Sequence, residues 1–227
     1  DVEAKPIEER VVPVFDLTPF LSLFDWTTAI HSFLNFGNAD ALSALTKESI
    51  KPILSRTEGR DETASALRKV ADAVQEFTRN AGSVRGKALA EGSYADDIQS
   101  LLPALRENLV PPMRPVLQGL GETFGGYHAN DPVNDLRAAC WCMDHGMVQA
   151  AVTLLREGVI TVLLDRMPPL DTVGDSVAQR EFLAMVMNTA HQPARQWPDK
   201  LRTHKDLAGK CRDKLPREVT EAFRNLS

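Results

Sequence analysis

Strand patterns are nearly missing from this chain. The single short β-like run is Val11 to Phe15, and Pro13 interrupts it, which confines the run to a sheet edge or a linker. Cysteine is scarce and odd in number: Cys140, Cys142 and Cys211 are the only three in 227 residues. That usage excludes a disulfide-stapled secreted scaffold and points to a reducing compartment, the cytoplasm by default. No apolar run approaches the roughly 20 residues that span a bilayer, and the start, Asp1 to Arg10, is too charged for a signal peptide. Membrane insertion is therefore not expected. Metal-ligand spacing is lacking as well. Cys140 and Cys142 are two apart on a helical pattern and face different sides, and His31, His128, His145, His191 and His204 form neither HxxxH nor HExxH. Glycine-rich phosphate loops are absent, because Gly119, Gly121, Gly125 and Gly126 follow no strand. No cofactor, metal or nucleotide is expected on this chain, and no internal repeat of fixed period suggests a solenoid.

What remains is helical periodicity. Thr18 and Pro19 form a cap and first-turn pair, after which Phe20, Leu23, Thr27, Ile30 and Leu34 recur at helical spacing until Gly37, with Trp26, Ile30 and Phe33 widening the stripe. Trp26 is expected in the core, where its loss would cost about 3–5 kcal/mol. A second helix is predicted after Asp61, with Leu67, Val70, Val74 and Phe77 on one face and an end near Gly82. From there to Asp131 the pattern loosens. Pro103, Pro111, Pro112 and Pro115 are expected to break helices, and Gly119, Gly121, Gly125 and Gly126 to mark turns between short helices and mobile loops.

Asp131 and Pro132 open a sharper helix with Val133, Leu136, Cys140 and Met143 on its predicted buried side. Gly146 then turns the chain into the helix of Met147 to Asp165, giving an antiparallel hairpin. After a polar break around Asp171 to Asp175, helices resume around Phe182, Leu183 and Val186, then around Leu201, Leu207 and Cys211. The last begins at Pro216, and its stripe of Val219, Ala222, Phe223 and Leu226 is still running at Ser227, as a helix that continues in a longer chain would. The expected fold is all-α, a helical bundle over 17–227 preceded by a linker or edge segment over 1–16.

Charge is distributed unevenly. The formal net charge is -5, from 26 Lys and Arg against 31 Asp and Glu. From Arg195 to Ser227 there are 9 basic and 5 acidic residues, a balance of +4, which leaves 17 basic and 26 acidic, or -9, in the rest. An anionic partner would prefer the tail. The helix from Met147 is apolar on most sides, yet Gln149, Thr153, Arg156 and Glu157 share one face. Such a stripe needs partners, because an unpaired buried charge costs several kcal/mol. Two readings stay open: an ion-pair network with neighbouring helices, or a functional cleft or subunit seam.

Two segments carry a family resemblance. Val14-Phe15-Asp16-Leu17-Thr18, with Trp26, Ala29, Phe33, Gly37 and Asn38 after it, resembles the start of the helical domain in type III CRISPR ancillary effectors. Trp141, Gly146, Val148-Gln149-Ala150, Leu154-Leu155 and Arg156-Glu157 resemble that family's motif in which a Trp-bearing helix leads into a Gln-Ala helix ending in Arg-Glu. The family joins an N-terminal CARF sensor to a C-terminal HEPN helical domain. The resemblance implies a HEPN-like bundle that acts as a metal-independent, cyclic-oligoadenylate-activated endoribonuclease on single-stranded RNA, works as a homodimer and serves antiviral defence. The sensor would lie upstream of Asp1, since nothing in Asp1 to Val14 supplies an α/β pattern.

The same resemblance implies a catalytic Arg, usually followed by Asn, with a His four to six residues further on. Arg224-Asn225 supplies the opening pair and takes the catalytic assignment, but no His stands at that spacing from any Arg. Arg137 and His145 come nearest, with seven residues between them, and Asn188-Thr189-Ala190-His191 lacks the Arg. The chain as given is therefore expected to be inactive, with the His placed beyond Ser227. The competing view is a non-catalytic helical module for dimerisation or interaction through the face of Gln149 to Glu157.

Overall fold

The computed structural model describes residue 16, residues 18–108 and residues 114–226. The expected edge run of Val11 to Phe15 lies outside the described residues, as do Pro111 and Pro112. Twelve α-helices fill the described part and no strand occurs in it: α1 (Thr18–Phe36), α2 (Asp40–Arg56), α3 (Glu62–Gly82), α4 (Gly86–Glu91), α5 (Ser93–Asn108), α6 (Arg114–Phe124), α7 (Asn134–Asp144), α8 (Val148–Leu164), α9 (Ser176–Thr189), α10 (Asp199–Thr203), α11 (Lys205–Lys214) and α12 (Arg217–Asn225), with a 3₁₀ turn at Ala194–Gln196. The fold is an all-α bundle. None of these helices is long and apolar enough to cross a membrane.

Caps explain several boundaries. The Asp61 carboxylate accepts the Ala64 N–H at 2.7 Å and starts α3, and Asp175 does the same for α9 through Ala178 N–H at 2.9 Å. Gly37 ends α1 at φ +66, a left-handed conformation in which a Cβ would also strike the Trp141 indole at 2.5 Å. That one glycine thus both stops α1 and lets its end lie against α7.

Apolar burial falls into two clusters. The first, spread over α1 to α8, centres on Phe77, whose ring meets those of Tyr94, Phe124, Tyr127 and Trp141 at centroid distances of 4.8–5.4 Å. The second is built from the far half of α8 and from α9 to α12, around Phe182, Leu183, Met187, Trp197, Leu201 and Phe223. Helix α8 runs into both, with Ala150, Ala151 and Leu154 in the first and Ile160 and Leu163 in the second. Its most extensive partner is α7, the predicted hairpin.

Some sequence expectations change. Helix α1 buries Ala29 and Phe33, whereas Leu23 and Leu34 stand exposed and Trp26 is half-buried. The helix is apolar on nearly every side, so periodicity alone could not select the inward face. Helix α7 buries Asn134, Asp135, Ala138, Ala139, Trp141 and Cys142, while Cys140 and Met143 are exposed. There the small alanines give close contact with α8, and Trp141 is drawn toward Phe77, which rotates the helix away from its most apolar-looking stripe. Pro103 lies inside α5, and Gly119 and Gly121 lie inside α6. Burial of Leu102, Leu105, Val116, Leu117 and Leu120 outweighs those local breaking signals. In α12 the buried residue is Phe223, and Ala222 is exposed.

Candidate functional site

The polar stripe on α8 has partners inside the chain. Gln149 and Thr153 are exposed, and the Thr153 hydroxyl donates to the Gln149 carbonyl at 2.9 Å within the helix. Arg156 is half-buried with its guanidinium 5.3 Å from the centroid of the Phe223 ring of α12. Glu157, one residue on, accepts from Arg180 of α9 at 2.7 Å. The same guanidinium donates to the Glu157 carbonyl at 3.0 Å and to the Thr161 hydroxyl at 2.9 Å. Arg156 and Glu157 therefore join α8 to α12 and α9, while Gln149 and Thr153 stay at the surface.

Phe223 is 1% exposed, and its placement on Arg156 fixes the register of α12. The next two residues, Arg224 and Asn225, consequently stand on the exposed side of the last turn. Arg156 thus packs on the residue just before Arg224, although the two arginines are 68 positions apart in the chain. Gln149 and Thr153 lie apart from the contact between Arg156 and α12, and the four stripe residues do not line one pocket.

A further group was not legible beforehand. Asp135, in the first turn of α7, is 2% exposed and its Oδ1 has no hydrogen-bond partner. It lines an open cleft of about 600 Å³ together with Glu157, Arg180, Thr161, Asp165 and Lys87. Burial pushes the Asp135 carboxyl up to about 6; Arg180 opposes that shift and the charge of Glu157 adds to it. Tight packing holds it in place, since a Cβ on Gly158 of α8 would meet the Asp135 Cβ at 2.9 Å and Leu136 at 2.8 Å. Neighbouring Asn134 is fully buried and donates to the His128 carbonyl at 2.7 Å. In the sequence the only trace of this arrangement is the adjacent Asn134 and Asp135 in the first turn of α7.

The buried cysteines are poor nucleophiles. Cys142 is buried, its thiol pushed up to about 11 by burial, which keeps it protonated and inert. His145 is held against its own helix, its Nδ1 2.7 Å from the Trp141 carbonyl. His191 is exposed just past the end of α9. Among the described residues no three His, Cys, Asp or Glu side chains converge as a metal site would require.

Comparison with protein-family models, curated proteins and solved structures finds no match to this chain. The site stands on its own geometry. That geometry offers an exposed arginine in the last turn of α12, next in sequence to the Phe223 that packs on Arg156, and a separate cleft holding a buried acid.

Proposed function

We propose that the chain is the helical effector part of a HEPN-type, CRISPR-linked endoribonuclease that cuts single-stranded RNA without a metal ion. The observation that carries this reading is the Arg156–Phe223 contact. It ties the Arg156-Glu157 pair in the middle of α8 to the α12 turn that bears Arg224-Asn225, the pair to which the resemblance gives the catalytic assignment. The basic balance of Arg195 to Ser227 adds a field that favours an anionic polymer.

In this reading the RNA supplies its own nucleophile. A base takes the proton of a ribose 2′-hydroxyl, the 2′-oxygen attacks the adjacent phosphorus, and the 5′-oxygen leaves with a proton. The products are a 2′,3′-cyclic phosphate and a free 5′-hydroxyl. Arg224 steadies the charge gathering on the phosphate, and Asn225 provides the amide beside it. The reading calls for a His four to six residues past Arg224 as the base, and for a second chain with the matching pair. Cyclic oligoadenylate acts through an upstream sensor.

Incubating the longer protein, activator present, with labelled RNA in excess EDTA tests the chemistry. Cleavage that leaves a cyclic phosphate, and that stops when the ribose before the cut is 2′-deoxy, is the expected outcome. Cleavage that EDTA abolishes, or that proceeds at the deoxy position, overturns the mechanism.

A further inference from the structure

The open cleft that Asp135 lines is walled by α4, α7, α8 and α9, and no step of RNA cleavage uses it. Its described charged side chains are Lys87 and Glu91 on α4, Asp135 on α7, Glu157 on α8 with Asp165 just after it, and Arg180 on α9. Four are acids and two are bases, a balance of -2 with every group ionised.

Both bases are already committed. Arg180 donates to the Glu157 carboxylate, the Glu157 carbonyl and the Thr161 hydroxyl. The Lys87 side chain is 92% exposed, with its ammonium 4.0 Å from Glu91. Asp135 is left over, since its Oδ1 has no hydrogen-bond partner although the residue is 2% exposed. A buried acceptor without a partner is rare enough in a folded chain to call for an explanation.

Two glycines set the direction of this carboxyl. Behind it, Gly158 lets the Asp135 stem pack on α8. In front, the carboxyl faces Gly86 of α4, where an added Cβ would stand 3.2 Å from Oδ2 and 3.5 Å from Oδ1. Gly86 lines the cleft as well, and its lack of a side chain leaves that wall open beside the carboxyl. At pH 7.5 the group is ionised, because burial pushes it up only to about 6. Asp165 follows the last turn of α8, so the carbonyl end of that helix adds negative potential at the same place.

We propose that this cleft binds a small linear polyamine, with one primary ammonium on Asp135 and another against the remaining acids of the wall. An ammonium brings three donors to an acceptor that lacks one. Ala90 and Pro132 meet the methylene stem, and about 600 Å³ falls within the usual span of ligand clefts, about 300–1,000 Å³. A compact metal ion fits less well, because no three acids, histidines or cysteines converge among the described residues. The site is separate from Arg224 and does not rest on the ribonuclease reading.

Calorimetric titration of spermidine into the purified chain, at pH 7.5 and about 0.15 M salt, tests the site. Wild type is expected to show one saturable site per chain, weakened about 10–100-fold in Asp135→Asn. Binding should be unchanged in Glu48→Gln, which removes an exposed acid of α2 outside the cleft. Absence of saturable binding to wild type overturns the proposal. Equal binding by Asp135→Asn, or an equal loss in Glu48→Gln, overturns it too, as the mark of general attraction to an acidic protein. Magnesium ion at the same concentration should not compete, and competition as strong as that of spermidine itself refutes the polyamine in favour of a compact cation. If Asp135→Asn loses helicity, Gly86→Ala decides, because it keeps the carboxyl and crowds it: weakened binding supports the site and unchanged binding refutes it.

Discussion

Asp135→Asn is the perturbation whose magnitude follows most directly from the structure. The carboxyl is buried under α8, and its affinity for a proton is raised from the ordinary 3.8 to about 6. The folded state therefore binds the proton more tightly than the unfolded state does. Between the two values the native chain carries more protons, so this group's contribution to stability falls as pH rises and is fully unfavourable above about 6. A shift of this size corresponds to about 3 kcal/mol, at 1.36 kcal/mol per unit. The groups facing the carboxyl are Arg180 on α9 and Glu157 on α8, with Asp165, Glu91 and Lys87 on the rest of the cleft wall. Their titrations are shared by wild type and variant and largely cancel in the difference. Urea melts at about pH 4.5 and pH 7.5 should show the variant gaining on wild type by about 2–3 kcal/mol between the two conditions. Asparagine introduces two new donors, which affects the absolute stability at both pH values but not the pH dependence. A stability difference that does not change between these pH values would refute the buried-acid argument.

Two further substitutions test the packing. Gly37→Ala places a Cβ 2.5 Å from the Trp141 ring at a positive φ, and should cost about 2–4 kcal/mol in a denaturant melt, more than the usual overpacking change. Trp26→Ala should cost about 1–3 kcal/mol, because a half-buried indole at the margin of the first core loses less than a fully buried one; a loss above about 4 kcal/mol would restore Trp26 to the core centre.

The helical class, the α3 face and the α7–α8 hairpin were legible because each rests on local signals: a cap at Asp61, a regular Leu67–Val70–Val74–Phe77 stripe, and a glycine turn at Gly146. The inward faces of α1 and α7 were not. In α1 apolar residues occur all round, and in α7 two polar residues are buried while Met143 is not, so tertiary packing around Phe77 and against α8 made the choice. The α8 stripe was visible as a set needing partners. The identity of those partners, Arg180 and Phe223, lies 23 and 67 positions away along the chain from Glu157 and Arg156, a separation that no periodicity encodes. Asp135 was hidden for a related reason, since the first turn of a helix is an ordinary place for an exposed acid. Its burial comes from Gly158 on the facing helix.

The central claim is that Arg224 serves RNA cleavage. Single-turnover cleavage of labelled single-stranded RNA by the sensor-bearing protein that the proposal calls for, with activator, compared between wild type and Arg224→Ala at equal dimer content, tests it most directly. The account predicts a rate loss of about 10²–10⁴-fold with RNA binding weakened far less, since the guanidinium acts chiefly on charge that develops in the transition state. Cleavage by Arg224→Ala at the wild-type rate, from a folded dimer, would contradict it.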